Sequence, residues 1–282
     1  MKILFVLLSI ITPLLVVAQN KTDAHKAFVN KVQTYYTPEY LNFRNKIINE
    51  FPNAKPGRFG VIINDVFEDV ADNNKVIAFT FDACIGKKND YNAPLINFLI
   101  QQRIPATLFV SGLWIDDNME VFRKLSQDTL FEIGNHGLLH RLCSIDGETK
   151  YGVAATQNIS EVIDEMELNA RKIAALTGKR PQFFRSATAY TDETCAKIAN
   201  QLGMKVINFD ILSGDAIPFT PPEVIKDNIV NNAKPGAIVI MHFNHPQWFE
   251  LEALKMAIPE LKAKGYRFVK LTHEKLVSQH TK

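Results

Sequence analysis

The stretch LFEIGNHGLLH, residues 130–140, joins a short apolar run to two histidines that stand four positions apart. The run is typical of a buried β-strand, and His136 and His140 follow it directly. Two imidazoles at this spacing can bind one divalent metal ion, but they can equally be two unrelated side chains. The residues that follow the neighbouring strands decide between these interpretations.

Six further strand-like runs occur from residue 75 onward: KVIAFTF, ATLFV, PQFFR, KVINFD, AIVIM and YRFVKL. The amphipathic stretches between the runs predict helices over residues 93–102, 118–127, 160–176, 192–202, 222–232 and 250–264. This alternation predicts an α/β fold with a parallel sheet and right-handed crossovers, either closed as a barrel or open and doubly wound. The chain length fits a barrel slightly smaller than the eight-unit form.

The helix predicted over residues 160–176 has the clearest amphipathic pattern. Its apolar positions, among them Val162, Ile163 and Met166, form a stripe opposite Glu161 and Glu165. The pattern predicts a helix that lies on the sheet with its apolar stripe and carries its acidic residues on the other face.

The first 74 residues differ from the rest of the chain. Residues 1–18, MKILFVLLSIITPLLVVA, are typical of a cleaved secretory signal peptide, which predicts an exported protein in the periplasm or outside the cell. Residues 19–74 contain two helical patterns and a turn-like segment. We expect them to form a helical N-terminal extension that packs on a catalytic domain of residues 75–282.

The composition excludes several classes of partner. The chain has 32 Lys and Arg against 30 Asp and Glu, a formal net charge of +2, whereas binding of nucleic acid would need a basic excess. No stretch after the signal is long and apolar enough to predict a transmembrane helix. Three cysteines, Cys84, Cys143 and Cys195, allow one disulfide but indicate no disulfide framework.

Polar side chains with catalytic chemistry stand at the carboxyl ends of five predicted strands. In chain order they are Asp82, His136 and His140, Arg185, Asp210 and Asp215, and His242. In parallel α/β folds the strand ends converge at this rim, and active sites form there. Each residue alone has a structural explanation, such as an ion pair or a helix cap, but the grouping on one rim favours a functional site.

These residue types together predict hydrolysis assisted by a metal ion. Neutral imidazoles bind zinc, a carboxylate completes the ligands, and an open position holds a water whose pKa the metal lowers to about 7. A second carboxylate can act as base, and a separate imidazole as acid for the leaving group. The sequence contains no G-x-S-x-G, H-E-x-x-H, P-loop or G-x-G-x-x-G pattern that would indicate another chemistry.

Five ordered segments between residues 75 and 272 resemble the motifs of the polysaccharide deacetylase family, the NodB homology domain of carbohydrate esterase family 4. TFDACIG is similar to the first motif, T-F-D-D, and NHGLLH to the second, H-S/T-x-x-H. FFRSATAY is similar to the arginine-bearing third, FDILSGDA stands where the fourth should end in Asp-Trp, and IMH matches the fifth. The resemblance implies a distorted (β/α)7 barrel that removes acetyl groups from N-acetylated sugars of peptidoglycan, chitin or similar glycans.

The resemblance also implies a role for each matched residue. Asp82 takes the position of the catalytic base, and His242 takes that of the general acid. Arg185 would hold the base in place, and Asp215 would tune the acid. The developing oxyanion would be stabilised by the metal and by a backbone N–H in the loop after the third motif.

The implied cofactor is a divalent metal ion, with zinc as the expected ion, bound by His136 and His140. The family's third ligand is the second aspartate of T-F-D-D, and Ala83 stands in its place. Two histidines with waters could hold a weaker ion, or another side chain could substitute. The candidates for this third ligand are Asp82, Cys84, Asp90 and Asp146.

Three other departures from the family pattern indicate a divergent member. Gly137 stands where the family has Ser or Thr, which predicts a looser loop between the two histidines. The segment after Arg185 lacks the family's proline turn, and Ala216 replaces its tryptophan, which removes an apolar wall from the pocket.

Three functional hypotheses follow. The first is an exported hydrolase that removes acetyl groups from an N-acetylated carbohydrate by attack of a metal-bound water, with an Asp base and a His acid. The second is the same chemistry on an O-acetyl ester, which has a better leaving group. The third is a catalytically lapsed, glycan-binding relative. Ala83 favours the third, whereas the survival of the acid, the base and their partners favours an enzyme whose partner is an acetylated glycan.

Overall fold

The fold is described by a computed structural model that covers residues 25–71, 74–85 and 90–278. The predicted signal peptide lies outside the described residues. The chain divides into two compact units between Phe43 and Arg44. The two helical patterns predicted before residue 75 are present as α1 (residues 25–33) and α2 (Pro38–Asn49). None of the helices among the described residues is long and apolar enough to cross a membrane.

Strands and helices alternate through the remainder of the chain. The strands are β1 (Phe59–Gly60), β2 (Val66–Phe67), β3 (Asp69–Val70), β4 (Val76–Ala83), β5 (Ala106–Val110), β6 (Phe131–Asn135), β7 (Phe183–Phe184), β8 (Thr191–Asp192), β9 (Lys205–Ile207), β10 (Ile211–Leu212), β11 (Ala237–His242), β12 (Arg267–Phe268) and β13 (Leu276–Val277). The helices are α3 (Ala93–Gln102), α4 (Gly112–Asp117), α5 (Met119–Gln127), α6 (Ile159–Thr177), α7 (Glu193–Gln201), α8 (Pro222–Asn231) and α9 (Glu250–Ala263). All seven predicted strands and all six predicted helices of this region are confirmed.

The sheet curves round until it nearly closes. β4 pairs in parallel with β11 on one side and with β5 on the other, and β6, β7 and β9 continue the parallel order. The chain bends after β9, and β10 then pairs in parallel with β11. β12 lies beside the start of β4. The return of β10 to the strand next to β4 confirms the distorted (β/α)7 barrel over the open sheet.

Strand β4 separates two apolar layers. Phe79, Phe81 and Ala83 pack in the core between the sheet and the helices, whereas Val76 and Ala78 pack in the core inside the barrel. Side chains alternate between the two faces of a strand. The residues on either side of Ala83 in sequence therefore face the barrel interior.

Several helices begin where the sequence provides a capping side chain. Asn92, Asn158 and Asp192 each accept a hydrogen bond from the backbone N–H three residues later. Caps of this kind contribute about 1 kcal/mol each. Helices α3, α6 and α7 thus have sharp starting points immediately after the loops that carry the rim residues.

Helix α6 differs from its prediction. Residues 162–170 are buried on all sides, and Glu165 lies in the interior rather than on a solvent-facing surface. Its carboxylate accepts hydrogen bonds from the backbone N–H groups of Leu139 (2.9 Å) and Arg141 (3.0 Å). In sequence, a buried carboxylate with partners looks the same as an exposed one, so the helical pattern alone could not place it.

Candidate active site

The sheet register places the candidate residues at one level of the barrel mouth. Asp82 on β4 is directly opposite His242, the last residue of β11. The last residues of β4, β5, β6 and β7 are aligned with one another in the same way. Cys84, His136 and Arg185 each follow one of these aligned strand ends, so residues separated by up to 160 positions come together.

Cys84, His136 and His140 form a compact group of potential metal ligands. One donor atom from each side chain lies within 4.8 Å of the other two, and Cys84 Sγ lies 3.6 Å from His136 Nε2. His136 Nδ1 lies 2.9 Å from the carbonyl oxygen of Arg185. Nδ1 must therefore carry the hydrogen, and Nε2 offers its lone pair to the group.

His140 adds a second nitrogen without a partner. Its Nε2 is buried and makes no hydrogen bond within the described part of the chain. Its backbone adopts the left-handed conformation, with φ of 55°, which for a non-glycine residue is uncommon and occurs often at functional sites. An orphaned imidazole nitrogen beside a thiol and a second imidazole fits a site for a divalent ion.

The thiol of Cys84 lies in an environment that favours its charged form. Burial by itself would raise the pKa of this thiol. His140 and hydrogen bonds with His136, His140 and His242 oppose burial and bring the pKa well below the usual range of a cysteine. The thiolate is the form of cysteine that binds a metal ion.

Asp82 is held by Arg185 in the barrel interior. Arg185 Nη1 donates to Asp82 Oδ1 at 2.7 Å, and both side chains are buried. The guanidinium also donates to the carbonyl oxygens of Ile207 (3.1 Å) and Asn208 (3.0 Å) at the end of β9. The other oxygen, Asp82 Oδ2, lies 3.8 Å from His136 Nε2. Arg185 thus fixes one oxygen of the carboxylate and leaves the other toward the histidines.

His242 and Asp215 form a second pair, in which Asp215 is buried and His242 is partly exposed. Asp215 Oδ2 accepts hydrogen bonds from the backbone N–H of His242 (2.6 Å) and from its Nδ1 (3.1 Å). Asp215 Oδ1 accepts from Ser213 Oγ at 2.8 Å and from the backbone N–H of Ala216 at 3.0 Å. Burial opposes a charge on His242, but the carboxylate of Asp215 raises the pKa of His242 well above the usual range. The direction of this shift favours the protonated form of His242, which is the form that can donate a proton.

The loop between the two histidines is held by contacts with the buried side chain of Glu165. Glu165 binds the backbone N–H groups of Leu139 and Arg141, and Arg141 Nε lies 3.2 Å from its second oxygen. Gly137 has φ of 82°, and a Cβ there would lie 2.4 Å from Glu165 Oε1. A buried carboxylate thus occupies the space of the missing hydroxyl side chain.

The segment after Arg185 turns without proline. It forms a short 3-10 helix, Ala187–Ala189, in which Thr188 and Ala189 have φ of 59° and 62°. Asn208 Nδ2 donates to the carbonyl oxygen of Ala189 at 2.9 Å. This tie from the end of β9 supports a backbone conformation that costs non-glycine residues about 1–3 kcal/mol each.

An aromatic pair lies beside His242. The rings of His245 and Trp248 are stacked, with centroids 3.8 Å apart and an angle of 21° between their planes. The Trp248 ring lies 5.5 Å from His242, nearly perpendicular to it. Ala216 places no ring at the end of its own segment, whereas Trp248 supplies aromatic surface next to His242 from a different loop.

Two acids that the sequence placed at the rim or near it are engaged elsewhere. Asp210 lies 2.7 Å from Lys234 Nζ in an ion pair. Asp146 accepts a hydrogen bond from Ser144 Oγ at 2.7 Å. Neither belongs to the Cys84, His136 and His140 group.

Glu250 is a buried acid of this region that the sequence did not indicate. Both of its carboxylate oxygens are buried without a hydrogen-bond partner among the described residues. Burial and repulsion from Asp215 raise the pKa of Glu250 to about 8. Its position at the start of α9 made it look like an ordinary helix-start acid, and no local signal distinguishes the two cases.

Comparisons with known proteins show which sequences this chain is similar to. The sequence profile for polysaccharide deacetylase matches residues 69–207. A peptidoglycan-N-acetylglucosamine deacetylase of Bacillus cereus is 28% identical over 204 residues, which cover 71% of this chain and 88% of the relative.

Two solved structures are also similar. A family 4 acetyl xylan esterase from Clostridium thermocellum, solved with a cobalt ion, is 27% identical with a TM-score of 0.57 and covers 71% of this chain and 89% of its own. A CE4 family pseudoenzyme from Bacillus anthracis is 24% identical with a TM-score of 0.63, and the match covers 74% of this chain and 68% of the pseudoenzyme. The similarity to the pseudoenzyme shows a shared fold only.

Proposed function

We propose that this protein is an exported, metal-dependent carbohydrate deacetylase. The proposal starts from its family, because the chain is a divergent member of the polysaccharide deacetylase family, carbohydrate esterase family 4. Its substrate is an N-acetylated glycan, with an O-acetylated glycan as the alternative within the same chemistry. The relatives named for peptidoglycan deacetylation and for acetyl xylan esterase activity support both kinds of acetyl group.

One observation carries this proposal. A buried Asp82–Arg185 pair and an Asp215–His242 pair with a buried carboxylate lie together around the Cys84, His136 and His140 group. A glycan-binding surface has no need of an oriented carboxylate and a charged imidazole in the same cavity. A hydrolytic site needs both.

The chain's own residues divide the chemistry between them. His136 and His140 hold the divalent ion, and a bound ion would polarise the acetyl carbonyl and a water molecule. Asp82, oriented by Arg185, accepts the proton of the attacking water. His242, charged through Asp215, donates its Nε2 proton to the leaving nitrogen or oxygen of the sugar. The proton movements match the direction in which Asp215 shifts the pKa of His242.

Trp248 is proposed as a platform for a sugar ring. Its ring lies beside the acid histidine and is partly exposed. Aromatic faces pack well against the apolar faces of sugars, and the position lies next to the group that would protonate the leaving atom. We expect Trp248→Ala to raise KM more than it lowers kcat.

The test is release of acetate from a panel of acetylated glycans by the mature protein. The panel includes peptidoglycan, chitooligosaccharides and acetylated xylan, and Asp82→Asn is the matched inactive variant. Acetate release by the wild type that the variant loses would support the proposal. No release from any glycan by zinc-loaded protein would contradict it.

A catalytically lapsed glycan-binding relative is the second candidate, and Ala83 is the observation that favours it. It predicts that the wild type and Asp82→Asn bind the same glycans with equal affinity and that neither releases acetate. Calorimetric titration with chitooligosaccharides, run beside the acetate assay, separates the two candidates.

Export and the packing of residues 19–74 on the catalytic domain are parts of the same proposal. The pattern of residues 1–18 supports export. Recovery of the protein outside the cytoplasm with Gln19 as its first residue is the expected result of amino-terminal sequencing. Full-length protein in the cytoplasm would contradict export without affecting the catalytic proposal.

A further inference from the structure

We infer that the third protein ligand of the metal site is the sulfur of Cys84, so that Asp82 keeps its place as base beside Arg185. The inference rests on the proposed function because it assigns a ligand in the same site. It goes beyond that function in placing a thiolate where the family has a carboxylate, and in defining which ions the site accepts.

The strand geometry explains why the ligand has moved by one position. Ala83 faces the helices and is buried with Phe79 and Phe81 in the outer core. A carboxylate on that face would be buried among apolar side chains. Because side chains alternate along a strand, Cys84 returns to the face of Asp82 and points into the barrel mouth, where it contacts His136.

The distance between Cys84 and His136 fits a shared ion. Typical zinc bonds, about 2.3 Å to sulfur and about 2.0–2.1 Å to nitrogen, place the two donor atoms about 3.6 Å apart in a tetrahedral site. Cys84 Sγ and His136 Nε2 are 3.6 Å apart. The same reasoning gives about 3.4 Å for an oxygen ligand, and Asp82 Oδ2 is farther away, at 3.8 Å.

Asp82 is also committed elsewhere. One of its oxygens accepts a short hydrogen bond from Arg185, whose remaining nitrogens are anchored to the end of β9. A buried guanidinium that lost this carboxylate would be left with an uncompensated charge, which is costly. Transfer of Asp82 to the metal would therefore disrupt the Arg185 network, whereas use of Cys84 leaves it intact.

The ligand set predicts the class of ion. Thiolate and imidazole ligands favour zinc and similar borderline or soft ions, whereas magnesium, calcium and manganese prefer oxygen ligands. Two imidazoles and one thiolate also leave an open fourth position, as catalytic zinc sites require. We therefore expect zinc and cobalt to bind, and magnesium not to compete with them.

The test is spectroscopy of the mature protein loaded with cobalt and, separately, X-ray absorption of the zinc-loaded protein. We expect a near-ultraviolet sulfur-to-cobalt charge-transfer band and one sulfur at about 2.3 Å from zinc. Cys84→Ser should lose the band and weaken zinc binding by more than about 100-fold, the upper end for loss of a residue that only supports a ligand. Cys84→Asp should bind zinc without the sulfur signal.

Cys195→Ala is the matched control, because Cys195 is buried and lies outside the metal-binding group. It should keep the cobalt band. Tight metal binding by the wild type with nitrogen and oxygen ligands alone would overturn the Cys84 assignment and leave the deacetylase proposal in place. Failure of the wild type to bind any ion would overturn the metal-dependent deacetylase itself. If Cys84→Ser does not fold, the presence or absence of a sulfur ligand in the X-ray absorption spectrum of the zinc-loaded wild type tests the assignment.

Discussion

Asp82 is the residue for which the sequence permits two roles and the structure favours one. In sequence it could be the base or a substitute metal ligand, because Ala83 leaves the third position open. In the structure it is buried against Arg185 and lies on the same strand face as Cys84. A thiol next to the histidines allows the carboxylate to remain a base.

Asp82→Asn separates the two roles. Loss of a general base costs typically about 10²–10⁴ in rate, so we expect acetate release to fall by this factor while bound zinc stays near one ion per chain. Acetate release and elemental analysis on the same preparation measure both. Loss of zinc together with activity would show that Asp82 is a ligand.

His242 depends on Asp215 for its charge. The carboxylate raises the pKa of His242 well above the usual range, so the proton of the imidazolium is lost at a higher pH than from a free histidine. The alkaline fall of kcat/KM reports this loss.

Asp215→Asn should move the alkaline limb of the kcat/KM profile to lower pH. The amide keeps the shape of the side chain but removes the negative charge, so the pKa of His242 falls and the rate decreases more at pH 8 than at pH 6. A Ser213→Ala control, which removes only the hydroxyl that binds Asp215, should leave most of the profile in place. An alkaline limb at the same pH in Asp215→Asn would contradict the assigned pairing.

At the scale of elements, helix α6 supports the loop that carries His136 and His140. Glu165, wholly buried in the middle of the helix, binds two backbone N–H groups of the loop that carries His140. Gly137 makes room for it, since any Cβ there would contact the Glu165 carboxylate at 2.4 Å. Gly137 and Glu165 therefore act together, because the absence of a side chain at Gly137 leaves space for the Glu165 carboxylate that supports the loop.

Gly137→Ser, which restores the family's residue, should harm this protein. We expect about 1–3 kcal/mol of destabilisation from the left-handed backbone, a further loss from the contact with Glu165, and weaker zinc binding. Gly152→Ser is a matched control, because Gly152 has φ of 73° with no atom within 4 Å of an added Cβ. The difference between the two variants in free energy of unfolding, measured with urea, gives the cost of the contact with Glu165. Equal destabilisation would contradict the role of Glu165.

At the scale of the whole molecule, the metal site joins segments that are far apart in the chain. Cys84 follows β4, whereas His136 and His140 follow β6, and strand β5 lies between them. No ion of this kind can be held by these ligands in the unfolded chain at the same geometry, so binding is linked to folding.

Zinc should therefore raise the unfolding temperature. A ligand at 100 times its Kd stabilises the folded state by about 2.7 kcal/mol, which for a chain of this length corresponds to several degrees. His136→Ala should lose the increase, and His273→Ala, an exposed histidine outside the group, should retain it. Differential scanning calorimetry with and without zinc measures the effect, and an equal shift in both variants would show that zinc binds elsewhere.

The sequence by itself determined the alternation of strands and helices and most of the rim. Seven strands and six helices could be predicted because periodicity, capping residues and strand composition are local properties. The positions of Asp82, His136, Arg185 and His242 followed, since the carboxyl ends of parallel strands share one edge. Strands β1, β2 and β10 were not predicted, whereas β7 and β12, which are equally short, were predicted because they lie within the longer strand-like runs PQFFR and YRFVKL.

Only the tertiary structure decided how these residues are paired and buried. Contacts between distant segments decide three features: Glu165 braces a loop, Glu250 is buried with no hydrogen-bond partner among the described residues, and Cys84 lies in one group with His136 and His140. Charge and residue type are visible in a sequence, but burial and partner are set by the packing of elements that are not neighbours along the chain. The closure of the sheet by β10 depends on the same long-range packing, and it brings the acid and the base into one site.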